Sequence, residues 1–177
     1  MKEITIGSSR IQFVVGDITA QDTEAVVNAA NSRLAPGGGV AGAIHRAAGP
    51  LLWEECSTLG GCATGEAKLS KGYNLPNRFV IHTVGPVYSG SRQDPVLLRA
   101  CYVSSLKVAD ANGIKSVSFP ALSTGIFGYP LDDAAAVAIE AFMDYLSGDT
   151  AVELVRMVLY DNTAYEAHLK ALERLKR

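Results

Sequence analysis

The stretch Ala25-Val-Val-Asn-Ala-Ala-Asn-Ser-Arg-Leu-Ala-Pro-Gly-Gly-Gly-Val-Ala-Gly-Ala-Ile-His-Arg-Ala-Ala48 decides the fold. It opens on a short apolar run, Ala25–Val27, that does not alternate with polar residues, as expected of a strand covered on both faces. Three glycines, Gly37, Gly38 and Gly39, follow it. A short helix is then predicted from about Val40 to Ala48, stopped by Gly49-Pro50. Strand, glycine loop and helix in that order form the unit of an α/β protein.

The same unit recurs along the chain. Phe13–Val15, Phe79–Thr83, Val117–Phe119 and Leu154–Tyr160 read as further buried strands, rich in Val, Ile and Phe. Ile4–Ile6 and Ala67–Leu69 are weaker and are placed nearer an edge. Asp94-Pro95 reads as an N-cap followed by proline at the first helical position. Leu97, Cys101, Val108 and Ala111 then recur at helical spacing until Asn112-Gly113 ends the segment. Leu131 to Leu146 repeats the pattern, with Ala134, Ala138, Ala141 and Tyr145 on one stripe. A last helix begins near Asn162 or Thr163. There Thr163-Ala-Tyr-Glu166 has capping-box spacing, and Tyr165, Leu169 and Leu172 face inward. This alternation predicts a largely parallel sheet with helices on both faces. No repeat, low-complexity tract or linker interrupts it, Ser89–Asp94 reads as a loop, and residues 1–177 are expected to form one domain.

Composition narrows the function. With 177 residues, 48% hydrophobic and 19% charged, the chain is not disordered. The net charge of −2 provides no basic surplus for a nucleic acid backbone. Cys56, Cys62 and Cys101 form no close pair, and His45, His82 and His168 are scattered, so neither a disulfide framework nor a metal site is expected. No cofactor is called for. The first residues carry no apolar leader and no apolar run reaches the roughly 20 residues of a membrane span. The expectation is a soluble cytoplasmic protein that engages neither membrane nor nucleic acid.

The seventeen glycines are not evenly spread. Gly16, Gly37–Gly39, Gly85, Gly125 and Gly128 each follow a predicted strand, where open α/β sheets bind their ligands. Gly37-Gly-Gly39 before one helix and Ser123-Thr-Gly-Ile-Phe-Gly128 before another are either tight turns or a backbone clamp for a diphosphate. Asp17, just after a strand, is either an Asx-type cap or an acceptor for an exocyclic amine such as that of adenine. Asn28 and Asn31 are turn formers or readers of sugar hydroxyls. Tyr160 is either core or a stacking platform for a ring. His82, inside an apolar strand, reads as a satisfied core histidine. His45 and His168 lack a Ser or Cys partner, so a nucleophilic triad is not supported.

Taken together, Gly16-Asp-Ile-Thr19, Val27-Asn-Ala-Ala-Asn31, Gly37-Gly-Gly-Val40, Ala43-Ile-His-Arg46, His82-Thr-Val-Gly-Pro86, Phe119-Pro-Ala-Leu-Ser-Thr-Gly-Ile-Phe-Gly-Tyr-Pro130 and Leu159-Tyr-Asp161 resemble the macrodomain signature. The ordered set covers nearly the whole chain. The resemblance implies a three-layer α/β/α sandwich with a mixed, largely parallel central sheet and an ADP-ribose cleft. By that resemblance Asp17 and Ile18 read adenine and Tyr160 flanks it. Asn31, with Ala30 beside it in the binding set, holds the distal ribose. Gly37, Gly38, Gly39 and Val40, with Ser123, Thr124, Gly125, Ile126 and Phe127, wrap the diphosphate and distal ribose.

The spacing from Asn31 to Gly38-Gly39-Val40 resembles the catalytic MacroD-type subset. Its members hydrolyse O-acetyl-ADP-ribose and the esters that link ADP-ribose to protein Asp and Glu. The resemblance makes Asn31 the catalytic residue, ADP-ribose and its esters the ligands, and ADP-ribosylated proteins the partners. One departure matters: Ala41 stands where that subset commonly carries an aspartate thought to act on the attacking water. Phe127 replaces a common tyrosine. The chain therefore reads as an ADP-ribosyl ester hydrolase or, because of Ala41, as a non-catalytic ADP-ribose-binding module.

Overall fold

The computed structural model describes residues 1–176. Its strands are β1 (Lys2–Ile6), β2 (Ser9–Val15), β3 (Ala25–Ala29), β4 (Ala67–Lys71), β5 (Phe79–Thr83), β6 (Ser116–Phe119) and β7 (Leu154–Leu159). They join in one sheet of order β1-β2-β7-β6-β3-β5-β4. The five inner strands are parallel, while β1 and β4 are antiparallel edges. The two weak runs of the sequence are these edges: each has only one neighbour and needs less apolar surface.

Alternate residues of each inner strand feed two cores. Val26, Val80 and Val158 pack under α1 (Gly39–Ala48) and α2 (Pro50–Cys56) with Ile44, Ala48 and Leu52. Val27, Ile81, Phe119 and Met157 pack under α3 (Gln93–Ala111), α4 (Leu131–Leu146) and α5 (Asn162–Leu175) with Leu98, Tyr102, Phe142 and Leu172. In this second core Tyr102, Phe119 and Phe142 form an aromatic triad, with centroids 4.9–5.5 Å apart. Helix on sheet on helix gives the three-layer α/β/α sandwich.

Several expectations are corrected. Gly49-Pro50 stops α1 but also starts α2: Gly49 has φ 86 and turns the chain, and Pro50 opens the next helix. Asp94 is not the N-cap of α3. It is buried, and its carboxylate accepts from the N–H groups of Ser89 (2.9 Å) and Gly90 (2.8 Å), tying down the loop before the helix. The inward stripe of α3 is Leu98, Cys101, Tyr102, Leu106 and Ala109, so Ala111 is exposed. Helix α5 is capped by Asp161, which accepts from Ala164 N at 2.9 Å, not by a capping box at Thr163. No helix among the described residues is long and apolar enough to cross a membrane.

Candidate ligand-binding site

The carboxyl ends of β2, β3, β6 and β7 lie on one side of the sheet, and the chain after each is glycine-rich or polar. Between these segments lies a cleft of about 860 Å³, within the range of about 300–1,000 Å³ typical of small-molecule sites. Asp17 and Ile18 border it after β2; Gly39, Val40, Ala43 and Arg46 on α1; Thr124 and Gly125 after β6; Tyr160 and Asp161 after β7.

At Asp17 the two sequence alternatives coexist. Oδ1 caps the 3-10 turn Ile18–Ala20 by accepting from Thr19 N (2.8 Å) and Thr19 Oγ1 (2.7 Å). The Thr19 hydroxyl, then its N–H, hold the carboxyl below the ordinary carboxylate range. Oδ2 has no partner among the described residues and is left to accept from a ligand. Ile18 is buried beside it. Tyr160 is 93% exposed, so it is not core and its ring stands free at the rim.

The β3–α1 loop is held by Asn31. Its Oδ1 accepts from Arg33 N (3.2 Å) and Ala35 N (3.0 Å), and its Nδ2 donates to Ala35 O (2.8 Å). Both oxygen lone pairs are used and one N–H remains. Gly37 lies against this amide. The loop then folds so tightly onto α1 that any Cβ at Gly42 would collide with the Gly37 carbonyl oxygen. Gly38 occupies the N-cap position and caps with no side chain, and the first turn holds no acid. The leading N–H groups of α1 are therefore open to an anion at the cleft. Ala30, Asn31, Gly37 and Gly38 belong to this loop and its root but do not line the cleft itself. Ala30 is buried under α1.

After β6, Ser123 adopts φ 65 and is buried, its hydroxyl without a protein partner and pressed against Gly85. Its carbonyl accepts from Tyr129 N, Gly125 O accepts from Gly128 N, and Phe127 O accepts from Tyr88 N. The result is a braced turn with Ile126 fully exposed at its tip. Thr124 and Gly125 face the cleft; Ser123, Ile126 and Phe127 support or flank the turn. Helix α4 starts only at Leu131, beyond Pro130.

Asn28 does not reach a ligand. It is buried and donates from Nδ2 to His82 Nδ1 at 3.1 Å. That leaves the His82 proton on Nε2, 2.8 Å from Ser70 Oγ. Burial, with a smaller contribution from His45, pushes the His82 pKa down to about 3. The pair ties β3 to β5 at adjacent register positions. Ala41, also buried, puts only a methyl group where a carboxylate would stand.

Sequence reading missed Arg46, Ala43, Pro120, Ala121, Leu131, Val158, Asp161, Thr163 and Ala164 as cleft residues. For two of them a signal was available: positions 39, 43 and 46 share one face of a helix, so a ligand at Gly39 implicates Ala43 and Arg46.

A parallel sheet whose glycine loops and helix N-terminus open on one cleft is the architecture of a nucleotide-type ligand-binding protein. Residues 27–138 match the macro domain family model, and the chain belongs to that family. It is 45% identical over 177 aligned positions to O-acetyl-ADP-ribose deacetylase 1 of Pantoea vagans, covering 97% of this chain and 99% of that protein. It is 50% identical over 141 positions to ADP-ribose glycohydrolase MACROD1 of Bos taurus, covering 78% of this chain and 43% of that one. A point mutant of the Oceanobacillus iheyensis macrodomain, solved with ADPR, superposes with a TM-score of 0.95 at 38% identity, covering 99% and 98% of the two chains.

Proposed function

We propose that this protein binds ADP-ribose and hydrolyses its esters, namely O-acetyl-ADP-ribose and mono-ADP-ribose carried on protein Asp and Glu, in the cytoplasm. The observation that carries the reading is the cleft itself: a free carboxylate oxygen of Asp17 at one end and the uncapped N–H groups of Gly39 and Val40 at the other. An adenine amine donates to the first, and a diphosphate accepts from the second. Ile18 and Tyr160 sandwich the base. Thr124 and Gly125 close over the diphosphate.

The hydrogen-bond count at Asn31 constrains the chemistry. With its oxygen saturated, the side chain can hold a water or a ribose hydroxyl only by donating its last N–H. It cannot take a proton. The water that attacks the ester carbonyl gives its proton to a phosphate oxygen of the substrate, which returns it to the departing ribose oxygen as the C–O bond breaks, so that acid and ribose hydroxyl form together. Such a site works without a general base from the protein, a contribution worth about 10²–10⁴-fold elsewhere. Buried Ala41 and the engaged Asn31 amide favour a second reading, a module that holds ADP-ribose or ADP-ribosylated proteins without turnover.

The deciding assay is turnover of O-acetyl-ADP-ribose by wild type and Ala41→Asp. Position 41 lies in the first turn of α1, where the helix dipole tolerates a carboxylate, and its burial raises that carboxyl toward the range of a base. The hydrolase reading expects measurable wild-type turnover and a gain of about 10-fold or more in the variant. A wild type that binds ADP-ribose but shows no turnover establishes the module instead.

A further inference from the structure

Among the lining residues of the cleft, Arg46 is the one cation. Arg10, Arg99 and Arg156 are paired, with Glu3, Asp144 and Asp22, while Arg33, Arg78, Arg92 and Arg174 form no ion pair among the described residues but lie outside the cleft lining. Arg46 forms no ion pair and no hydrogen bond among the described residues. The two carboxylates that share the cleft each use one oxygen on local structure, Asp17 on Thr19 and Asp161 on Ala164, and neither reaches Arg46.

The position of the guanidinium is informative. Arg46 is attached in the last turn of α1, where a cation suits the helix dipole. Its head does not stay there. Nη1 lies 3.0 Å from where a Gly42 Cβ would be, so the side chain folds back along the helix toward Gly39 and Val40. The bare Cα of Gly42 makes the room. The positive head thus reaches back over one turn toward the positive end of α1, at the wall of the cleft. An anion placed between them would relieve both.

We propose that Arg46 takes the diphosphate of the bound ligand through its guanidinium fork and so makes the cleft discriminate ADP-ribose from its uncharged nucleoside, adenosine. The assignment rests on the ADP-ribose reading above. It adds a side-chain contact to a diphosphate site otherwise built from backbone N–H groups. It also gives the cleft a polarity, with acids at the β2 and β7 ends and the cation on α1.

The test is calorimetric titration of ADP-ribose, and NMR titration of adenosine, into wild type, Arg46→Gln and Arg46→Lys at low and high salt. Arg46 is exposed and unpaired, so all three should fold, which melting curves verify. Losing a charge-assisted contact should weaken ADP-ribose in Arg46→Gln by about 10-fold or more at low salt. The gap should narrow as salt rises. Adenosine should bind all three alike, and Arg46→Lys should recover part of the loss. Unchanged ADP-ribose affinity in Arg46→Gln overturns the proposal. Equal losses for both ligands overturn it too, because they place Arg46 over the base. A wild type that binds neither ligand defeats the ADP-ribose reading, and this one with it.

Discussion

Gly42→Ala tests whether the glycine loop is built as tightly as the structure implies. In an ordinary helix this change is stabilising, by about 1 kcal/mol, because alanine is the better helix former. At Gly42 the new methyl meets two groups. One is Arg46 Nη1, 3.0 Å away, the tip of a flexible chain that swings aside cheaply. The other is the Gly37 carbonyl oxygen, which is backbone and cannot. The loop behind it is held by three hydrogen bonds of the Asn31 amide. The Gly37 peptide must therefore retreat by roughly half an ångström or more in a packed environment that does not yield freely. Overpacking of that kind costs about 1–3 kcal/mol. Set against the propensity gain, the net is a loss of about 0–2 kcal/mol, or a Tm lowered by up to roughly 8 °C for a chain of this size. Binding suffers more than stability, because the peptides displaced are those that present N–H groups to the cleft. Affinity for ADP-ribose should fall about 10-fold or more, since misplacement by even ~1 Å is costly at a preorganised site. Melting by calorimetry and titration with ADP-ribose read the two effects separately. A raised Tm together with wild-type affinity would refute the reasoning: the loop would then be loose, and Gly42 an ordinary helix position.

Asp17→Asn separates capping from recognition. The amide oxygen still accepts from Thr19, so Tm should stay near wild type, but the group now facing the cleft donates and ADP-ribose affinity should drop about 10- to 100-fold; wild-type affinity in this variant would remove Asp17 from the site. His82 makes stability pH-dependent. Its pKa is about 3 in the fold against an ordinary 6.5, so the unfolded chain binds the extra proton between those values, and stability is full above about pH 6.5. It should fall as pH drops through that window, by at most about 1.4 kcal/mol per pH unit from this group. Burial lowers the pKa of His45 and His168 as well, with the same sign. Denaturant titrations from pH 7 to 4 should therefore be steeper for wild type than for His82→Gln, and equal slopes would contradict the burial argument.

The sandwich was legible because its strands are bounded by glycines and its helices by Asn112-Gly113 and Gly49-Pro50, which are local signals. What escaped was the choice of partner for short polar residues near element ends, although His82 was legible as a bonded core histidine. Asp94, Asp161, Asn28 and Asn31 are all short polar residues at element ends, and sequence offers each the same choice between cap, turn and ligand contact. The fold assigns Asp94 to a loop and Asp161 to α5, where each finds backbone N–H groups beside its own helix, and Asn28 to His82, its register partner on the neighbouring strand. Arg46 escaped for the opposite reason: it has no partner, and absence of a partner is invisible until the neighbours are placed.

Asp17 keeps one oxygen at the cleft after β2, and Asn31, in the loop that leads into α1, keeps one N–H and no free oxygen. A donor can hold water or a hydroxyl but cannot deprotonate either. With a methyl group at position 41, the hydrolase reading passes the proton released on attack to a phosphate oxygen of the ligand. Activity of this protein on an ester then depends on a phosphate oxygen staying free enough to act as base. The proposed Arg46 contact draws on that same diphosphate. If both hold, Arg46→Gln weakens binding yet raises the basicity of the phosphate. Its kcat on O-acetyl-ADP-ribose should fall less than its kcat/KM, the split that single-turnover and steady-state rates measured side by side would show. A kcat that falls as far as kcat/KM would mean that Arg46 acts in the transition state and that the phosphate is not the base.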